Sequence, residues 1–166
     1  IIQEDNDDAS FEDEYDIPQN LSIIKLPKFG PNIYPISISM RKKIESFNAD
    51  VLYLKGLWRQ TSLEAYFWKK KNPHKILIVS PAGMLQPRPI KNKKILKLIS
   101  IFFIEKKLFN KCDILHAVSL LEKKSIMESR YRFKKVVFIP EGIPKNKLKI
   151  MKKNKFSKKL VSISRI

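Results

Sequence analysis

Cysteine is nearly absent from this 166-residue chain: Cys112 stands alone, so no intrachain disulfide is possible and a reducing compartment fits better than a secreted one. Glycine is also scarce, with only four residues, so the places where it does occur carry information. Arginine is confined to positions 41, 59, 88, 130, 132 and 165, and the rest of the 34 basic residues are lysine. Planar, bidentate reading of bases leans on arginine, so no specific nucleic-acid partner is expected. A long apolar run is missing too. The most apolar window, ILKLISIFFI at 95–104, is broken by Lys97 and is too short to span a bilayer. The opening is acidic instead of basic then apolar, which is not the pattern of a signal peptide. Because the first residue is Ile and not Met, the expectation is a fragment.

Negative charge is lacking over most of the chain. Eight of the 16 acidic residues fall between Glu4 and Asp16, which leaves 34 basic against 8 acidic, a net of +26, in everything that follows. Such an excess favours anionic partners, whether an acidic membrane surface, nucleic acid or phosphorylated substrates. The plainer reading is a lysine-coated surface.

What is present is a regular alternation. LSIIKL (21–26), VLYL (51–54), HKILIVS (74–80), DILHAVS (113–119) and VVFIP (136–140) read as strands, and Ile1–Ile2 as the end of another. Between them, Ile36, Met40, Ile44 and Phe47 recur at helical spacing over 34–47. Thr61 and Glu64 have capping-box spacing for a helix over 62–71, and Ser119 and Glu122 repeat that spacing for a helix reaching about residue 131. Lys91 to Lys111 reads as a long basic amphipathic helix. Short strands alternating with helices predict an α/β fold with a Rossmann-like parallel sheet covered by helices on both faces.

Ligands of open α/β sheets bind outside the carboxyl ends of the strands, which directs attention to KGLW, SPAGML, VSLLE and PEGIP. The candidate rim residues are Lys55, Gly56, Trp58, Ser80, Pro81, Gly83, Met84, Arg88, Ser119, Glu122, Glu141 and Gly142. Glycine at 56, 83 and 142 allows φ > 0 or a close backbone approach to a ligand, with a plain tight turn as the alternative. Pro87 and Pro89 hold Arg88 in an extended stretch. Trp58 offers an apolar face to a sugar ring or to the core, and Ser119 with Glu122 is explained first as a helix cap. His74 reads as a surface residue and His116 as a buried or rim residue. No metal-ligand spacing and no nucleophile elbow occurs.

In order and spacing, FGP (29–31), ADVLYLKGLW (49–58), HKILIVSPAGML (74–85), DILHAVSLLEKKSI (113–126), VVFIPEGI (136–143) and LVSISRI (160–166) resemble the amino-terminal half of family 4 retaining glycosyltransferases. The resemblance implies the GT-B architecture, with residues 1–145 as an acceptor-side domain incomplete at its start. Residues 146–159 would be a basic interdomain linker, and 160–166 the first strand of a truncated donor-binding domain. It also implies transfer, with retention, from a nucleotide-diphosphate sugar to a glycan or lipid-linked acceptor in cell-surface polysaccharide or lipopolysaccharide synthesis. Arg165 would contact the donor diphosphate, and no cofactor or metal is implied. The implied location is cytoplasmic. The lysine-rich helix from Lys91 to Lys111 either rests on an anionic membrane surface as a peripheral contact or packs on the sheet with a solvated basic face, the second being the plainer reading. Three positions depart from the family pattern: YLKGLW lacks both motif histidines, Ala82 stands near the reaction centre where His or Arg is usual, and Glu141 replaces the asparagine of the P-N-G turn. The fragment alone is not expected to turn over substrate. The competing reading is a non-catalytic basic α/β module, a degenerate remnant that binds anionic membrane or nucleic acid.

Overall fold

The computed structural model describes residues 2–4, 21–27, 29–30, 36–85, 104–129 and 131–142. Two short strands, β1 (Ile2–Glu4) and β2 (Ile24–Leu26), form a parallel pair. Helix α1 (Met40–Ser46) leads to β3 (Val51–Lys55), α2 (Gln60–Lys71) and β4 (Ile76–Ser80). After α3 (Lys106–Lys111) come β5 (Ile114–Ala117), α4 (Leu120–Met127) and β6 (Val136–Phe138). The second sheet has the order β3-β4-β5-β6 with every pairing parallel. This is the Rossmann-like α/β arrangement that the alternation of elements predicts.

The pleat divides the side chains of this sheet. Leu54, Leu77, Val79, Leu115 and Ala117 point to one face and are buried against Ala65 and Trp68 of α2, Leu108 and Phe109 of α3, and Ile126 of α4. Burying one such aliphatic side chain contributes about 1.5–3 kcal/mol, so this layer is the main source of stability. Because the strands follow in one direction across the sheet, right-handed crossovers bring α2, α3 and α4 to this one face. The sequence reading expects helices on the second face as well. There Val51, Tyr53 and Ile76 remain 46, 48 and 43 % exposed.

At the amino ends of the strands, a polar knot ties β4, β5 and α2 together. The buried Lys69 ammonium donates to the Pro73 and Lys75 carbonyls and lies 2.7 Å from Asp113 Oδ2. Asp113 also accepts from Leu77 N–H (2.9 Å) and from Lys134 (3.0 Å). Burial alone would raise the Asp113 pKa, but these donors outweigh it and hold the carboxyl at about 2.

Three helix boundaries differ from the sequence reading. Helix α1 begins at Met40, because Gln60 grips the backbone of Ser37: Ser37 N–H donates to Gln60 Oε1 (2.6 Å), and Gln60 Nε2 donates to Ser37 O (2.9 Å). Ile36 therefore lies outside the helix, in an isolated bridge to Phe29, and is 45 % exposed. Helix α2 starts at Gln60, ahead of Thr61, and Glu64 makes no capping box; it accepts instead from Arg41 Nε at 2.7 Å. Helix α4 stops at Met127, where Ser129 and Tyr131 turn the chain toward β6.

Candidate functional site at the carboxyl rim

Parallel register brings the ends of β3, β4, β5 and β6 to one side, where residues 56–59, 81–85, 118–119 and 139–142 form the rim. Two of these loops have left-handed backbone at adjacent or nearly adjacent residues: Gly56 (φ 87°) with Trp58 (φ 62°), and Ala82 (φ 50°) with Gly83 (φ 81°). For Ala82 and Trp58 this conformation costs about 1–2 kcal/mol each, so the surrounding structure must hold them there.

It does so with two buried carboxylates. Glu105 lies in a wide, π-type turn just before α3 and is fully buried; its Oε1 accepts from Trp58 N–H at 2.7 Å. Glu122, also fully buried, accepts from Gly83 N–H through Oε1 (2.5 Å) and from Val118 N–H through Oε2 (2.8 Å). One side chain thus joins the loop after β4 to the loop after β5. The loops also bind each other: Gly56 N–H donates to Ser80 O (2.8 Å) and Leu57 N–H to Met84 Sδ (3.1 Å).

These bonds decide what the glycines do. The N–H groups of Gly56, Leu57, Trp58, Gly83 and Met84 all donate within the protein. Gly56 and Gly83 are needed for positive φ, not to bring an open amide to a ligand. A Cβ on Gly56 would stand 3.6 Å from Met84 Cε, an ordinary contact, so conformation and not space is what demands glycine. Gly142 has no left-handed φ and no neighbour within 4 Å of an added Cβ, so neither conformation nor packing within the chain demands glycine there.

On the open face of the sheet, just below the rim, lies a second group. Tyr53 Oη is 2.7 Å from His116 Nδ1, and His116 Nε2 is 2.8 Å from the Ile139 carbonyl. A carbonyl only accepts, so Nε2 carries a hydrogen, and in the neutral ring Nδ1 accepts from the Tyr53 hydroxyl. That leaves the acceptor lone pairs of Tyr53 Oη available to a ligand hydroxyl. Lys55 and Glu141, at opposite edges of the sheet, meet at 2.6 Å but are 59 and 55 % exposed, so the pair is worth at most about 1 kcal/mol. Ser80 is fully buried, and its hydroxyl has no partner among the described residues.

The rim thus gathers Lys55, Gly56, Trp58, Ser80, Pro81, Ala82, Gly83, Met84, Ser119, Glu122, Glu141 and Gly142 at one end of the sheet, while Arg88 and Arg165 lie outside the described residues. Several of these have structural tasks. Ser119 Oγ caps α4 by accepting from Glu122 N–H at 3.0 Å, and Glu122 has both oxygens engaged and is fully buried, out of a ligand's reach. Its return bond reaches Val118 N–H, one residue short of the usual capping box. Trp58 packs against the core through part of its ring.

Sequence reasoning did not identify Glu105, and it left Tyr53 and His116 unjoined. A signal for Glu105 was present, since it is the sole acidic residue between Glu64 and Asp113 in a lysine-rich stretch. Burial pushes its pKa up to about 7, against the Trp58 N–H and the Ser62 hydroxyl, which lower it. The buried Cys112 thiol is pushed up to about 12, chiefly by burial, and is no nucleophile at neutral pH. Among the described residues, no group of three or more His, Cys, Asp or Glu could hold a metal ion, and no helix is long and apolar enough to cross a membrane.

Fold and rim together define a Rossmann-like parallel α/β protein with its candidate site at the carboxyl ends of the strands. No protein-family model, no curated protein and no solved structure matches the chain.

Proposed function

We propose that this chain is the acceptor-side part of a sugar-transferring enzyme that uses a nucleotide-diphosphate sugar and a glycan or lipid-linked acceptor, with retention at the anomeric carbon. The observation that carries the reading is the rim itself. Two strained loops, 56–59 and 81–85, are each held by a buried glutamate beside an exposed Tyr53–His116 pair. Strain maintained in this way at the carboxyl end of a parallel sheet supports a ligand site. The chemistry on offer suits a polyol. Tyr53 Oη accepts from a sugar hydroxyl while its own proton is held by His116, and its half-exposed ring gives the sugar an apolar surface.

In this reading the loops position the acceptor and Arg165 contacts the donor diphosphate, an assignment that rests on the resemblance alone. Leaving-group charge is stabilised electrostatically, by Arg165 and helix amino termini, without a covalent intermediate on the protein. The backbone amides of Gly56, Leu57, Trp58, Gly83 and Met84 take no part in this, since they are already engaged.

Amide-resolved NMR of the chain titrated with a panel of neutral and phosphorylated oligosaccharides tests the proposal. Shifts centred on Tyr53, Lys55, Ala82, Gly83 and His116, and reduced by Tyr53→Phe, are expected. No shift with any glycan, together with duplex DNA binding that falls steeply with salt, would favour the non-catalytic basic module.

A further inference from the structure

The outer face of α4 is the least satisfied apolar surface among the described residues. Of the four most exposed large hydrophobic residues, Ile38 (81 %), Leu120 (68 %), Met127 (66 %) and Leu121 (64 %), three belong to this one helix of eight residues. Its inner face is conventional, with Glu122 and Ile126 buried. On a 3.6-residue period Leu120 and Met127 lie nearly in line, Lys123 and Lys124 flank that line on either side, and Leu121 lies about 100° round from it, on the far side of Lys124. Both lysines are exposed, and the ion pair from Lys124 to Glu128 is loose, at 3.9 Å between groups 72 and 66 % exposed.

An apolar line bordered by lysines is the pattern of a helix lying in the interface of an anionic bilayer. The leucines enter the acyl boundary, and the lysine stems lie along it with their ammonium groups among the headgroups. The charge of the chain agrees, at +18 and dominated by lysine, whose point charge suits a diffuse anionic surface. The position is informative as well. Leu120 and Leu121 form the first turn of α4, directly after Ser119, so the exposed leucines stand at the same rim as the candidate site.

We propose that the outer face of α4, through Leu120, Leu121, Met127, Lys123 and Lys124, docks on an anionic lipid membrane and sets the carboxyl rim beside the headgroups. The membrane contact stands on its own. Its consequence, that the acceptor is borne by a lipid, rests on the sugar-transfer reading above.

The test is sedimentation of the intact chain with vesicles of phosphatidylcholine containing about one-third phosphatidylglycerol, compared with phosphatidylcholine alone. Binding to the anionic vesicles is expected. The double variant Leu120→Ser, Leu121→Ser should lower the partition coefficient at least about tenfold, since it removes most of the apolar area that would leave water. Lys123→Glu with Lys124→Glu should weaken it comparably, whereas Lys70→Glu, in the last turn of α2 at the other end of the sheet, should change it by less than about twofold. All these side chains are exposed, so circular dichroism should show unchanged folding. The proposal is overturned if the wild type ignores anionic vesicles, or if the leucine variant binds them as well as the wild type does. It is also overturned if light scattering shows that the leucine variant merely splits a dimer, which would make a second copy the occupant. The glycan titration does not depend on vesicles, so the two ideas can fail separately.

Discussion

Replacing Glu105 by glutamine isolates the effect of one buried charge. The wild-type carboxyl is fully buried and titrates at about 7, against an ordinary value of 4.5. Between those two pH values the folded protein holds a proton that the unfolded chain has released. Stability therefore falls as pH rises from about 4.5 to 7 and levels off above, and it is fully recovered in acid. A shift of this size corresponds to about 3 kcal/mol at 1.36 kcal/mol per pH unit. Glutamine keeps an oxygen for Trp58 N–H, now 2.7 Å from Oε1, and its amide can donate to the nearby Ser62 hydroxyl, which stands beside the wild-type carboxyl without a hydrogen bond of good geometry. Urea unfolding of both proteins from pH 5 to 8 is the assay. The variant should match the wild type near pH 5 and exceed it by about 2–3 kcal/mol at pH 8. A constant difference across that range, or a variant less stable at both ends, would refute the reasoning.

Three further outcomes follow from the same geometry. Glu122→Gln replaces one of two occupied acceptor oxygens with a donor, so either Gly83 N–H or Val118 N–H loses its partner; a loss of about 1–3 kcal/mol is expected, with faster hydrogen exchange at Gly83 if that bond is the one broken. At Ala82 (φ 50°) glycine should be neutral to stabilising by about 0.5 kcal/mol and valine destabilising by about 2 kcal/mol, read from thermal unfolding. The Asp113 pKa is lowered to about 2, so its stabilisation is present above pH 4 and is lost as pH falls toward 2; Asp113→Asn should remove that acid-sensitive step, about 1–2 kcal/mol after screening of a partly exposed group, in melts between pH 2 and 5.

The strands were legible because each is a short apolar run that needs only local information. KILIVS becomes β4 and DILHAVS contains β5, within a residue or two of the expected ends. The cap on α4 was legible for the same reason, since Ser119 and Glu122 are three residues apart. At α1 and α2, where sequence reading went astray, a partner distant in sequence had intervened. Gln60 shortens α1 by binding Ser37, 23 residues away, and Arg41 draws Glu64 from its cap across the same separation. Neither bond leaves a trace in periodicity, because each depends on how α1 lies against α2.

The rim shows the same division. That four loops would meet at the carboxyl ends of a parallel sheet could be read from the alternation of strands and helices, and so could the need for glycine at 56 and 83. Which groups hold those loops could not. The contacts of Glu105 to Trp58, Glu122 to Gly83 and Tyr53 to His116 span 47, 39 and 63 residues, and each pairs side chains or amides that look ordinary alone. By itself the sequence determined most of the described elements, their order and the end of the sheet at which the connecting loops gather, because hydrophobic period and turn chemistry act over a few residues. Only the tertiary structure decided that the amides of Gly56, Leu57, Trp58, Gly83 and Met84 are occupied, that two glutamates are buried beneath the loops, and that α4 leaves its leucines exposed. Burial and hydrogen bonding at those places depend on which surfaces the packed helices cover.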